Sequence, residues 1–219
     1  MHISGPDRPC VHDLLQIEPN DLDASSAAEW VKEALVSCPW VVVRRLHVPA
    51  GQVAVGVRGN TRGERWGGFV RESVIRKIVR PPEVLARAQS SAHDFRTSAL
   101  RVLPEVAERW RDLTLPWGPT GSVGFELATG RQVTTETSDL DVAIFAPERF
   151  SVELARSLWE RVIWLETKVD IRVETPQCGF PLHEYVRTSA GKILLRYPDG
   201  PRFGHDPWCA RPNTTPIGS

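Results

Sequence analysis

What this chain has little of narrows it first. Its four cysteines, Cys10, Cys38, Cys178 and Cys209, are far apart and form no Cys-x-x-Cys pair. That spacing argues against a zinc or dithiol motif and for reduced thiols. The six histidines supply no His-x-x-x-His pair. No apolar run approaches the roughly 20 residues needed to cross a bilayer, and the opening residues carry no signal-peptide core. A cytoplasmic protein without a membrane partner is the expectation. The formal net charge is zero, which argues against a broad nucleic-acid-binding surface. There is no internal repeat and no low-complexity tract.

Composition is that of an ordinary globular protein, and 219 residues suit one large domain or two small ones. Order begins near His12 to Leu15. Residues 21–38 have helical periodicity with Ser25 or Ser26 as a cap. Trp40 to Leu46 and Gln52 to Val57 are strands joined through Pro49-Ala50-Gly51, expected to pair as a hairpin. Phe69 to Arg80 has the pattern of a basic amphipathic helix. Pro81-Pro82 is expected to end that helix and divide the chain. A small N-terminal α/β domain over 1–81 and a second domain over 82–210 follow, with 211–219 a disordered tail. Pro104 fits the first turn of a helix carrying Val106, Trp110 and Leu113. A helix over 152–166 should bury Leu154, Leu158, Val162 and Leu165. The whole implies a mixed α+β fold with helices flanking a sheet.

The most informative stretch runs from Trp117 to Gly130 and on to Ser138–Phe145. Gly121-Ser122 marks a helix start, with Ser a preferred N-cap and unpaired backbone N–H groups that attract phosphate. Gly130 is placed to end that helix in the left-handed conformation. In Asp139-Leu140-Asp141 the strand period of two puts both carboxylates on one face, a pattern that suits divalent cations. Sixteen residues separate Ser122 from Asp139, and the extra length from Arg131 to Thr137 suggests a hairpin.

Two further pieces add charge. Arg58, Arg62 and Arg65 lie in a glycine-containing loop after a strand, either a phosphate clamp or a solvated loop. In Lys168 to Glu174, Val169, Ile171 and Val173 alternate with Asp170, Arg172 and Glu174. That is either a strand with a solvated charged face or one that turns an acid toward Asp139 and Asp141.

Gly121-Ser122, Asp139-x-Asp141 and the later Asp170 resemble the DNA-polymerase-β-like nucleotidyltransferase superfamily. A narrower resemblance covers most of the chain, from about Pro9 to Trp208. Its residues are Gly56-Val57-Arg58-Gly59 with Arg62 and Arg65, Trp117 to Gly130, Ser138 to Asp141, Val169 to Pro176, and Asp206-Pro207-Trp208. These look like the malonate decarboxylase holo-acyl-carrier-protein synthases, also called phosphoribosyl-dephospho-CoA transferases.

That resemblance implies transfer of 2′-(5″-phosphoribosyl)-3′-dephospho-CoA from its triphosphate to a serine of the apo acyl-carrier subunit, releasing diphosphate. It implies one or two Mg²⁺ ions on Asp139 and Asp141, with Asp170 as a further ligand or general base. Gly121 and Ser122 would hold phosphates, and Arg58, Arg62 and Arg65 are candidates to reach the triphosphate. Rival readings are a nucleotidyltransferase using an ordinary nucleoside triphosphate, and a non-catalytic adaptor for nucleotide or carrier protein.

Overall fold

In the computed structural model the described residues are 8–22, 27–59, 61, 63–90, 95–187 and 191–209. Arg62, Ser25, Ser26 and the tail 211–219 lie outside them. The first sheet contains β1 (Leu14–Gln16), β2 (Trp40–Val43), β3 (Gln52–Arg58), β4 (Arg65–Arg71) and β5 (Lys77–Val79), with α1 (Glu29–Ser37) inserted after β1. All its pairings are antiparallel, in the order β4-β3-β2-β1-β5. The β2–β3 hairpin forms with Val42 opposite Gly56.

The amphipathic helix expected over 69–80 does not form. Residues 65–71 pair along the whole of β3, from Arg58 opposite Arg65 to Gln52 opposite Arg71. A short 3₁₀ turn at Glu72–Val74 then leads into β5. The neighbouring strand β3 offers residues 65–71 a full hydrogen-bond ladder, which local helical spacing cannot match. Phe69 is therefore exposed and Val70 buried, the alternation of a strand. Likewise Pro81-Pro82 starts α2 (Pro81–Ser90) rather than ending a helix; proline's missing N–H costs nothing in a first turn.

The second body contains α2, α3 (Ser98–Arg109), β6 (Trp117–Pro119), α4 (Gly121–Thr129), β7 (Leu140–Phe145), α5 (Val152–Glu160), β8 (Val169–Glu174), β9 (Gly179–Pro181), α6 (Leu182–Arg187), β10 (Ile193–Tyr197) and β11 (Gly200–Gly204). Its sheet has the order β11-β10-β9-β8-β7-β6, and only β7 and β8 run parallel, joined through α5. Pro104 lies inside α3 rather than in a first turn. Its ring faces solvent. Helix α5 stops at Glu160, six residues short of expectation, and Leu154 is exposed. β11 was not anticipated: the Pro198-Asp199 turn sends the chain back along β10. The fold is α+β, with helices and two sheets. Among the described residues no helix is long and apolar enough to cross a membrane.

Alternation across the first sheet separates its two faces. Leu15, opposite Val41 and Ile78, packs toward α1 with Val31 and Leu35. Leu14, opposite Val42 and Val79, packs with Val84 of α2 and Phe125 of α4. That second face joins the two bodies. A second tie is ionic: Glu174 of β8, 6% exposed, accepts from Arg45 and lies 2.7 Å from His12 Nε2. Of the two readings of 168–174, the solvated face holds at Lys168 but not at Glu174, and Asp170 is turned to the face of Asp141. The C-terminal Trp208 packs back on Phe150, Phe180 and Tyr185, its indole N–H donating to Ala146 O at 3.0 Å.

Candidate active site

Helix α4 begins at Gly121, two residues earlier than a Ser122 cap would give. Thr120 is the N-cap, and Ser122 lies in the first turn with its side chain buried. Gly130 ends the helix at φ +76°, left-handed as expected, its N–H donating to Glu126 O at 2.8 Å. Gly121 has φ +58°, and a β-carbon there would overlap the Asp141 carboxylate. Glycine is required on both grounds: L side chains avoid that conformation, and an acid occupies the space. The Thr120 N–H donates to Asp141 O at 2.8 Å, fixing the helix start against β7.

Residues 131–137 form no hairpin. They are irregular and bound to α4 by Glu126, whose Oε2 accepts from Val133 N–H at 2.8 Å and Thr134 N–H at 2.7 Å. Arg96 closes the cluster, donating to both Glu126 oxygens at 2.9 and 2.8 Å. Burial works against ionising Glu126, but these donors outweigh it and hold its carboxyl below the usual value. The long insertion is thus a loop anchored on the helix, and it delivers the chain to Asp139.

Asp141 and Asp170 are direct register partners on the parallel strands β7 and β8, so their side chains share a face. Asp139 lies one residue ahead of β7, half-buried. Burial pushes the Asp141 carboxyl up, and the charges of Asp170 and Asp139 add to the shift, against weaker help from Arg172 and Arg65. Asp170 is drawn to Lys168 Nζ at 3.1 Å. Accordingly, among the described residues no three Asp, Glu, His or Cys side chains converge into a ready-made metal cage. The arrangement is an open pair with a third acid one step back. That donor set suits Mg²⁺, which prefers one or two carboxylates plus substrate phosphates to an all-protein cage.

Asp141 and Asp170 open onto a cleft of about 710 Å³ between the two bodies. Arg58, Arg65, Gly121, Asp141 and Asp170 all line it; Ser122 and Asp139 do not. Arg58 and Arg65 face each other across the end of the β3–β4 hairpin. Arg44 and Arg45 also line the cleft and escaped the sequence reading. Arg44 lies over the cross-strand pair Gly56 and Gly67; a β-carbon on Gly67 would run into its guanidinium. The sequence signal was the glycine in each of two strands, where a missing side chain marks the close approach of another group.

A family model described as the phosphoribosyl-dephospho-CoA transferase MdcG N-terminal domain matches residues 10–81, and one described as its C-terminal domain matches 84–207. Relatives named phosphoribosyl-dephospho-CoA transferase include one from Pseudomonas putida, 36% identical over 91% of this chain and 95% of its own length. Another, from Azotobacter vinelandii, is 34% identical over 91% of this chain and 94% of its own. A third, from Klebsiella pneumoniae, is 35% identical over 94% and 98%. No solved structure matches. A resemblance first carried by short motifs therefore extends over nearly the whole chain, and the chain belongs to the phosphoribosyl-dephospho-CoA transferase family.

Proposed function

We propose that this protein transfers 2′-(5″-phosphoribosyl)-3′-dephospho-CoA from its triphosphate to a serine of the apo acyl-carrier subunit of malonate decarboxylase. The observation that carries the reading is the Asp141–Asp170 pair, set beside the Gly121 helix end in a cleft rimmed by arginines. Polyphosphate chemistry needs these parts: acids for a divalent cation, backbone N–H groups for phosphate oxygens, and guanidinium groups for the leaving charge. The family relationship favours this donor over an ordinary nucleoside triphosphate.

In the proposed reaction the acceptor serine Oγ attacks the α-phosphorus. A new O–P bond forms, the α–β bridging bond breaks, and diphosphate departs with the electron pair. Asp141 and Asp139 would hold Mg²⁺, which when bound neutralises charge on the phosphates. Asp170 is the group placed to take the serine proton or to complete the ion's coordination. The N–H groups at Gly121 and Ser122, the first turn of α4, would hold the leaving phosphates, with Gly121 the one of the two that lines the cleft. Arg58 and Arg65 reach the same groups from the N-terminal unit, residues 1–81, while residues 82–210 supply the acids. Arg62 falls outside the described residues, and its part in the clamp rests on sequence alone.

The test is a labelling assay with Mg²⁺, the triphosphate donor and apo carrier subunit. A mass gain on the carrier serine is expected, and it should disappear in Asp139→Ala and Asp141→Ala. Labelling at wild-type rates in both variants would remove the acids from the mechanism.

A further inference from the structure

The acid pair is flanked on two sides. On the β6 side lie Gly121 and the start of α4; on the β8 side a second groove, of about 520 Å³, opens next to Asp170. Lys168, Asp170, Ile171 and His183 line both the cleft and this groove, so the two are continuous at the acids. The groove's apolar wall is Trp159, Ile163 and Leu165, from the end of α5 and the turn after it. Next to Ile163, Trp164 is 85% exposed, the most exposed large hydrophobic residue among those described.

We propose that this groove, with the exposed Trp164 lying in the chain between its lining residues Ile163 and Leu165, is where the protein acceptor docks. The inference rests on the function proposed above and adds the location of its partner. In-line displacement requires nucleophile and leaving group on opposite sides of the reacting phosphorus. With the leaving diphosphate against the α4 N-terminus and the arginines, the attacking hydroxyl arrives from the β8 side, past Asp170. A small-molecule acceptor would need only the cleft. A protein segment needs an apolar anchor near the point of entry, and the Trp159, Ile163 and Leu165 wall supplies one, with the exposed Trp164 next to it in the chain. Lys168 and Arg187 at the groove are balanced by Glu166 and Asp170, so its apolar wall rather than its charge is what selects a docking segment.

The experiment measures steady-state labelling of the apo acyl-carrier subunit, varying carrier and triphosphate donor separately. Trp164→Ala and Ile163→Asp should each raise the KM for the carrier about tenfold or more and leave the donor KM unchanged. Because Trp164 is solvent-exposed, its truncation does not threaten the fold. Phe203→Ala, which removes another exposed aromatic on the distant edge strand β11, is expected to change neither. Unchanged carrier KM in both groove variants, with wild-type labelling intact, would overturn the groove assignment and leave the proposed function standing. An equal rise in both KM values would also overturn it. Failure of the wild-type protein to label the carrier would instead remove the proposed function, and the docking site with it.

Discussion

The Asp141 carboxylate fills the space that a β-carbon on Gly121 would need. One contact thereby joins the two halves of the candidate site, the helix end that can hold phosphate and the strand that can hold a cation.

Gly121→Ala tests that contact. The substitution imposes φ near +58° on a residue with a side chain, costing about 1–2 kcal/mol, and it displaces Asp141. We expect a modest fall in Tm and a loss of kcat of about 100-fold or more, since small displacements of positioned groups are costly. Stability measured by thermal melt and activity measured on the same preparation separate the two effects.

Asp141→Asn should do the reverse to stability. Burial and the neighbouring Asp170 and Asp139 raise the Asp141 carboxyl, so its charge at neutral pH works against the fold. The folded state binds its proton more tightly than the unfolded state, and stability falls as pH rises through the interval between the two values. The amide variant should therefore melt a few degrees higher at pH 7, by about 2–4 °C, and be inactive. A melt below wild type at pH 7 would contradict the charge balance inferred here.

A second carboxyl gives a defined pH interval. Asp13, 1% exposed and bonded by the Cys10 N–H at 2.8 Å, is raised by burial to about 6. Its unfolded value is near 3.8, so the wild-type protein should lose stability as pH rises from about 4 to about 6. The loss is on the order of 3 kcal/mol. Asp13→Asn should flatten that part of a stability-against-pH curve.

The Glu174 tie responds in the opposite sense. Burial disfavours its charge, but His12 and Arg45 outweigh burial and hold its carboxyl below the usual value. Its contribution is present above pH 4.5 and lost as pH falls through its folded value. Glu174→Ala leaves Arg45 half-buried without that carboxylate, and a loss of about 3 kcal/mol is expected. Chemical denaturation of the variant beside Arg45→Ala and the double variant would give the coupling directly.

The sequence was legible where local rules acted alone. Gly130 ends its helix because only glycine adopts that conformation freely, and Asp170 meets Asp141 because alternating valine and isoleucine define β8. It misled where a partner decided. Residues 69–80 have helical spacing, yet β3 and β1 supply ladders that spacing cannot reveal. Glu174 looked like one of several charges on a wet face, and its partners His12 and Arg45 are more than a hundred residues away. Arg44 was missed because its signal, a glycine in each of two strands, gains meaning only once Gly56 and Gly67 are seen to pair. The loop from Arg131 to Thr137 looked like a surplus; Glu126, eight positions before Thr134, makes it an anchored approach to Asp139.

Metal-dependent transfer to a protein serine by the acids beside Gly121, as proposed above, has one direct test. Intact-mass spectrometry of the apo carrier subunit, after incubation with this protein, the triphosphate donor and Mg²⁺, should show one added phosphoribosyl-dephospho-CoA per chain. Chelation or Asp141→Ala should abolish the gain, and restoring Mg²⁺ after chelation should recover it. Full labelling in the presence of chelator, or by Asp141→Ala, would contradict the account.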